Sequence, residues 1–466
     1  MAHRSGLPTY IDLFAGAGGF SLGFSRAGFR CAGAVEKDHQ AGQSYAENFP
    51  SHVSPLCLLG PKNGNVLRLD KLTIFRGLEE QRISQIDVLL AGPPCQGFSK
   101  VGRGKLDHLA KHNGAFKIDR RNKLYLQVIE ILRWTQPKIF LFENVPGMLS
   151  LGGGNVAETI CKLATAASYK VACTVLDAAW FGVPQIRERV FILGIRSDLG
   201  IAPSFPKPIY RVTGRMQGGH LAEIDLSKSL FESQEYFLPT QNPKFAKKAI
   251  TVRQALGDLP EFIDHLHPKY RIERSQMLSD DYRRGRPSPF AKEMRNWEGF
   301  ESDEVEDHFS RCTPRDHFTF GLMEPGDKYP RAVELATLRY RMAMAHYRRG
   351  NSSKKPLKKH FVPPYPTESF LEKWRKLIPC RPSWTVTAHL ARDCYSHIHY
   401  DPEQKRTITI REAARLQSFP DGFVFEGSMG DCFRQIGNAV PPLLAYRLAC
   451  HIQTILRKAA AKEPGH

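Results

Sequence analysis

The sequence predicts an α/β protein built on an open, largely parallel sheet, and three observations carry that reading. Short apolar strands alternate with helical segments through about the first 200 residues. A glycine-rich turn joins the first strand to the first helix, and a Pro-Pro pair ends a later strand where the sheet's carboxyl edge belongs.

The first strand, Tyr10 to Phe14, runs into Ala15-Gly16-Ala17-Gly18-Gly19 and then into a helical segment through Arg26. Glycines at a strand-to-helix turn let a ligand approach the backbone closely. The second strand, Cys31 to Val35, ends in Glu36. An acid some twenty residues beyond such glycines can accept both ribose hydroxyls of a nucleoside cofactor. A nicotinamide or flavin site would use the same features, but Ser21 holds the third position of GxGxxG, so the dinucleotide fingerprint is incomplete. Phe14 is either a stacking surface for an adenine ring or a buried strand residue.

A third strand, Ile86 to Ala91, leads into Gly92-Pro93-Pro94-Cys95. The prolines restrict the backbone and remove two donors, so the chain must leave the sheet, and Cys95 falls where open α/β sheets place their chemistry. A lone cysteine is more often packed than reactive; thiolate chemistry also needs a proton-handling partner, an electrophile and a substrate site. Further strands are expected at Lys138 to Phe142, Val171 to Leu176 and Val190 to Leu193. The first of these ends in Glu143-Asn144-Val145, so with parallel strands Glu143 emerges at the same edge as Cys95 and can donate to a ring nitrogen. Before the last strand, alternation puts Gln185, Arg187 and Arg189 on one face, which reads either as a binding face or as a charged surface strand.

At 466 residues and 42% apolar content the chain exceeds one ordinary core, and two domains are expected. No stretch approaches a membrane span, and no apolar signal segment precedes the first strand. The ten cysteines form no CxxC pair, which argues against a zinc site and a thioredoxin-like motif; a metal is not expected, and a reducing, cytoplasmic location is. The net charge of +19 predicts a polyanionic partner. Two basic runs stand out, one from Arg103 to Lys123 and one from Arg331 to Lys359 in which Glu334 is the lone acid. Neither run shows an amphipathic apolar stripe, so nucleic acid fits better than a membrane.

These residues resemble the DNA (cytosine-5) methyltransferase family. The match runs, in the family's order, through Asp12-Leu13-Phe14-Ala15-Gly16-Ala17-Gly18-Gly19, Gly92-Pro93-Pro94-Cys95-Gln96-Gly97-Phe98-Ser99, Glu143-Asn144-Val145, Gln185-x-Arg187-x-Arg189, Arg411-Glu412-Ala413-Ala414-Arg415-Leu416-Gln417 and Gly437-Asn438-Ala439-Val440-Pro441-Pro442. The resemblance implies a Rossmann-like S-adenosylmethionine-dependent methyltransferase sheet with a smaller, irregular target-recognition domain. It implies S-adenosyl-L-methionine as cofactor and double-stranded DNA as substrate. The catalytic residues it implies are Cys95 as nucleophile toward cytosine C6, Glu143 as the acid at N3, and Arg187 and Arg189 around O2 and the nearby backbone. The cofactor residues it implies are Phe14, Ala15, Gly16, Gly18, Gly19, Glu36, Asn65, Val66, Pro93, Leu124, Asn438 and Val440. One departure is Gly64-Asn65-Val66 where the family has Gly-Asp-Ile; asparagine keeps an acceptor oxygen but loses the charge. No residue is assigned to removing the C5 proton.

The expected division is a catalytic and cofactor-binding domain over 1–200, a target-recognition domain over 201–400 and a return segment over 401–466, whose helix comes back to the first strand beside Phe14 and Gly16. Residues 99–123, with Gly102, Gly104 and Gly114, suit a loop that closes over a flipped base. Action as a monomer is expected, and a cognate restriction endonuclease is a natural partner. Two other readings stay open, a transfer-RNA cytosine-5 methyltransferase and a catalytically silent nucleic-acid-binding protein; intact Cys95, Glu143 and Arg189 argue against the second. The bases read in the 201–400 segment do not follow from the sequence.

Overall fold

The computed structural model describes residues 6–52, 54–94, 124–150, 155–213, 236–240, 243, 246–262, 279–368 and 373–462. Cys95 and the expected mobile loop over 99–123 lie outside the described residues.

By packing, the chain forms two compact units, one made of Met1–Ala249, Val424–Glu426 and Ala439–His466, the other of Ile250–Phe423 and Gly427–Asn438. The first unit carries a seven-stranded sheet in the order β3-β2-β1-β4-β5-β7-β6. The strands are β1 (Thr9–Leu13), β2 (Arg30–Glu36), β3 (Cys57–Leu59), β4 (Val88–Ala91), β5 (Ile139–Asn144), β6 (Tyr169–Asp177) and β7 (Glu188–Arg196). β1 to β5 pair in parallel, and β7 runs antiparallel to both β5 and β6. β1, β4 and β5 are buried along their whole length, as expected of strands covered by helices on both faces.

Several boundaries differ from expectation. β1 stops at Leu13, because Phe14 turns into the left-handed region with φ 61° and leaves the sheet. β5 extends through Glu143 and Asn144, which pair with Phe191 and Val190, so Glu143 stands on the strand's last turnout rather than beyond it. β3 was not anticipated: three half-buried residues present no alternation to read. The C-terminal helix Pro442–Ala460 returns to the helix that follows β1 (Gly19–Arg26), not to β1 itself. Arg26 lies 4.6 Å over the Tyr446 ring, and a Cβ at Gly23 would stand 2.5 Å from the Ala445 methyl, so the two helices approach at glycine.

The second unit is built from short helices and long irregular stretches. One core cluster gathers Phe320, Met323, Tyr329, Ala332, Leu335, Trp374 and Ile398. The helix Ile410–Leu416 is buried throughout and opens with a capping box between Thr409 and Glu412. Its charged residues are tied inside the unit: Arg411 donates to the carbonyls of Glu306, Pro420 and Phe423, and Glu412 pairs with Arg406 at 2.7 Å. The conspicuous block 411–417 thus packs with 250–423, while 201–213 and 236–249 pack with the sheet; the packing units divide the chain at other points than the expected segments do. The 20-residue helix Tyr329–Arg348 lies in a stretch where little periodicity was expected. Its exposed face carries Leu338 and Met342 among arginines, which blurs the helical period in the sequence.

Candidate active site

Four strand ends meet along one edge of the sheet. Leu13 is in register with Val35 and with Ala91, and Ala91 with Phe142, so Phe14, Glu36, Gly92 and Glu143 follow at the carboxyl ends of β1, β2, β4 and β5. Gly92 N–H donates to the Leu13 carbonyl at 3.3 Å, and a Cβ at Gly92 would lie 3.7 Å from Glu143 Oε2. The Pro93 turn and the Glu143 carboxyl therefore face one space.

Glu143 makes an ion pair with Arg189, Nε to Oε1 at 3.0 Å, and the two side chains remain only 12% and 13% exposed. Burial raises the Glu143 pKa above its ordinary value, against the charges of Arg189 and Arg187, which pull it down. The result is a carboxyl that is easier to protonate than a surface glutamate yet keeps a cation beside it. Arg187 is 2% exposed. Its backbone N–H donates to Asp177 Oδ1 at 3.0 Å and its guanidinium to the Ala439 carbonyl at 3.0 Å, so it braces the strand entry against the return segment. Asn144 is the middle residue of the Glu143-Asn144-Val145 motif. It is 2% exposed, its amide donates to the Pro93 carbonyl at 3.2 Å, and its own oxygen accepts from Val145 N–H, so it holds the turn that leads to residue 95. Its sequence signal is its place in the Glu143-Asn144-Val145 motif, which gives no hint of the Pro93 carbonyl as partner.

The glycine turn and β2 form a second part of the edge. Glu36 Oε2 accepts from Gly16 N–H at 2.8 Å and Oε1 from Asp38 N–H at 2.6 Å. Burial raises the Glu36 pKa, and those two N–H donors oppose it. Gly19 opens the first helix with the Val440 carbonyl so close that a Cβ there would stand 2.2 Å from its oxygen. A side chain at Gly64 would meet the Glu36 carbonyl at 1.8 Å, so only glycine lets the 64–66 turn lie over β2. Asn65 Oδ1 accepts from Leu67 N–H, and Val66 is buried in the main core cluster. Ala15 N–H donates to the Val35 carbonyl at 3.1 Å. Leu124 is a buried first residue of the helix Leu124–Thr135, and Asn438 is exposed at the end of Met429–Asn438, in the second unit.

These residues fit a nucleoside cofactor. Each Glu36 oxygen accepts one backbone bond and has a second lone pair available, and a Cβ at Gly16, whose N–H meets that carboxylate, would have no atom within 4 Å, so the backbone there is open to a ligand. No pyrophosphate cradle is completed, because Ser21 is committed elsewhere: its hydroxyl donates to Asp12 Oδ2 at 2.7 Å and lies 2.9 Å from the Tyr45 hydroxyl, itself 3.0 Å from His52 Nδ1.

Asp12 is fully buried, and burial pushes its pKa up to about 7. A carboxyl with a raised folded pKa binds its proton more tightly in the fold than unfolded, so its stabilising contribution is full below the ordinary value near 3.8 and is lost as pH rises through about 7. We expect Asp12→Asn to flatten the fall in stability between about pH 4 and 7 by roughly a few kcal/mol. Urea denaturation of both proteins at pH 5, 6 and 8 measures it.

The profile of the family described as C-5 cytosine-specific DNA methylase matches residues 9–454. The chain is 36% identical over 446 residues to a protein of Oceanobacillus iheyensis provisionally named type II methyltransferase M.OihORF3336P, covering 95% of each chain. It is 33% identical to type II methyltransferase M.AgeI of Thalassovita gelatinovora, over 94% of this chain and 97% of that one. It is 27% identical to DNA (cytosine-5-)-methyltransferase M.ApeKI of Aeropyrum pernix, over 96% and 98%. Among solved structures, a provisionally assigned prophage DNA modification methyltransferase of E. coli superposes with a TM-score of 0.62 at 23% identity, over 97% of this chain and 99% of that one, a likeness of fold.

Proposed function

From the premise that the chain belongs to the C-5 cytosine-specific DNA methylase family, and so is an enzyme that transfers a methyl group from S-adenosylmethionine to C5 of cytosine in DNA, we propose how its own residues do so. The reacting edge is the one shared by Gly92-Pro93-Pro94, Glu143 and Arg189, and Cys95, next in the chain, is the nucleophile. The single observation that carries this reading is the buried Glu143–Arg189 pair facing the Pro93 turn.

Cytosine C5 is a poor nucleophile, and the target atom is inaccessible in a stacked duplex, so the base is turned out at a cost of about a few kcal/mol. The Cys95 thiolate adds to C6 while protonated Glu143 donates to N3, which makes the ring an enamine with electron density at C5. Arg189 holds the Glu143 carboxyl in position, and Arg187 braces the strand that carries Arg189. After C5 has gained its substituent, a base takes the C5 proton and the thiolate leaves, restoring the aromatic ring and the free Cys95. S-adenosylmethionine, when bound, supplies a methyl group on an electrophilic sulfonium. Phe14, Ala15, Gly16, Gly18, Gly19 and Glu36 would hold it together with Asn65, Val66, Pro93, Leu124, Asn438 and Val440. Residues 201–400 are assigned target recognition. The type II names of the relatives support a cognate restriction endonuclease as partner; a monomeric, cytoplasmic enzyme completes the reading. Among the described residues no helix is long and apolar enough to cross a membrane.

The experiment that tests this is incubation with S-adenosylmethionine and duplexes carrying 5-fluorocytosine. Fluorine at C5 cannot be removed by a base, so the enzyme should be trapped as a one-to-one adduct on the peptide that contains Cys95; an adduct elsewhere, or none with any duplex, rejects the assignment. A second expectation concerns Glu143. Glu143→Gln should lower single-turnover methylation by about 10²- to 10⁴-fold with little change in DNA affinity. The wild-type rate should fall as pH rises through the elevated Glu143 pKa, because the acid form is the reactive one, and the glutamine variant should lack that limb. Equal losses in binding and rate would mark Glu143 as structural.

A further inference from the structure

The second unit carries a cationic face. The helix Tyr329–Arg348 buries Tyr329, Ala332, Leu335 and Ala336 against the Trp374 core, but from residue 340 onward none of its residues is buried. Its free half spans about 15 Å and carries Arg341 and Arg348, with Arg349 just beyond. The chain then turns back, and Arg339 fastens the return by lying 5.7 Å over the Phe361 ring and 5.0 Å over Phe318. The returning segment presents the lysine pairs 354–355 and 358–359, all exposed. Between helix and return lies an open groove of about 630 Å³, with His346, Lys354, Lys355 and His360 above Leu357 and Phe361.

No acid occurs between Glu334 and Glu368. Soluble surfaces usually intersperse both signs, because like charges repel and weaken the fold. None of the three arginines and four lysines has an ion pair among the described residues. Arg348 and Arg349 complement the helix's carboxyl end, but Arg341 stands two turns earlier and the lysines lie past it, so the helix dipole does not account for the set. A surface that tolerates this repulsion is matched to a polyanion.

We propose that this face grips the phosphodiester backbone of duplex DNA without reading its bases, extending the enzyme's footprint beyond the cytosine that reacts; the inference rests on the DNA methyltransferase reading above. Exposed lysines act as point charges toward phosphates and carry no base preference. A face about 15 Å long covers roughly four phosphates of one strand. Leu338, Met342 and Leu357, at 53%, 64% and 47% exposure, lie among the cations and make an anionic lipid surface the competing occupant.

The test compares the full-length enzyme with a variant carrying Lys354→Ala, Lys355→Ala, Lys358→Ala and Lys359→Ala, and with a second carrying Arg341→Gln and Arg348→Gln. Affinity is measured from 50 to 200 mM salt on duplexes with and without a methylatable site. The slope of log K against log salt should become shallower by about 2 to 4 for the lysine variant and about 1 to 2 for the arginine variant, equally on both duplexes. Unaltered slopes in both variants overturn the proposal, as does loss of binding to vesicles of phosphatidylserine and phosphatidylcholine with DNA slopes intact. The 5-fluorocytosine adduct separates the two readings: a wild-type enzyme that traps no duplex fails the methyltransferase reading, whereas normal trapping with unaltered slopes fails this one alone.

Discussion

Cys95→Ala should abolish methyl transfer, by about four to six orders of magnitude, while DNA and cofactor affinities stay within a few-fold of wild type. The asymmetry follows from what the thiolate does. Without addition at C6, cytosine C5 lacks the electron density to attack a methyl donor, and no amount of positioning replaces that covalent step. The groups proposed to bind lie elsewhere in the sequence: the Glu36 carboxylate and the glycine turn for the cofactor, and Arg189 beside the base. The measurement is single-turnover methylation of a cognate duplex beside equilibrium binding of both ligands. Turnover within tenfold of wild type would remove Cys95 from the chemistry, and a parallel collapse of DNA binding would make it a structural residue instead.

The largest expected effect on stability is at Arg415. All five N–H groups of its guanidinium are engaged: two donate to Asp421 at 2.5 Å, two to Asp258 at 2.9 and 3.2 Å, and one to the Ala255 carbonyl at 2.8 Å. The side chain is fully buried, as is Asp421. Burial alone would raise the Asp421 pKa, but Arg415 outweighs it and holds the carboxyl below its ordinary value. Arg415→Met strips the buried Asp421 carboxylate of its paired cation, while Asp258 keeps its ion pair with Arg295. Removing one partner of a buried ion pair costs about 3–5 kcal/mol, and that loss is expected here in chemical denaturation of the second unit. Adding Asp421→Asn should recover part of it, since a neutral amide replaces one stranded charge. A single replacement that costs less than about 1 kcal/mol would mean water reaches the site and screens it.

How much was legible depends on whether the interaction is local in sequence. The glycine turn, Pro93-Pro94 and Glu143 could be read because each works within a few residues of a strand end, where the residue type alone dictates the backbone. Ser21 could be recognised as a departure from the dinucleotide pattern, but its reason lies in Asp12 and Tyr45, which the fold brings to its hydroxyl. Asn144 shows the same limit: its partner, the Pro93 carbonyl, is 51 residues away. The block from Arg411 to Gln417 was conspicuous as a motif, yet its work is to tie together Glu306, Asp258 and Asp421, none of which it announces.

The sequence by itself determined the class of chemistry, through six ordered motifs that it shares with the cytosine-5 methyltransferase family, from Asp12–Gly19 to Gly437–Pro442. Only the tertiary structure decided that the Glu143 carboxyl is buried against Arg189, that Arg187 braces the return segment, and that the cations of 341–359 are exposed and make no ion pair among the described residues. Residue types carry reactivity in their own covalent structure. Protonation state, support and charge density depend on desolvation and on neighbours far along the chain, which exist only once it has folded.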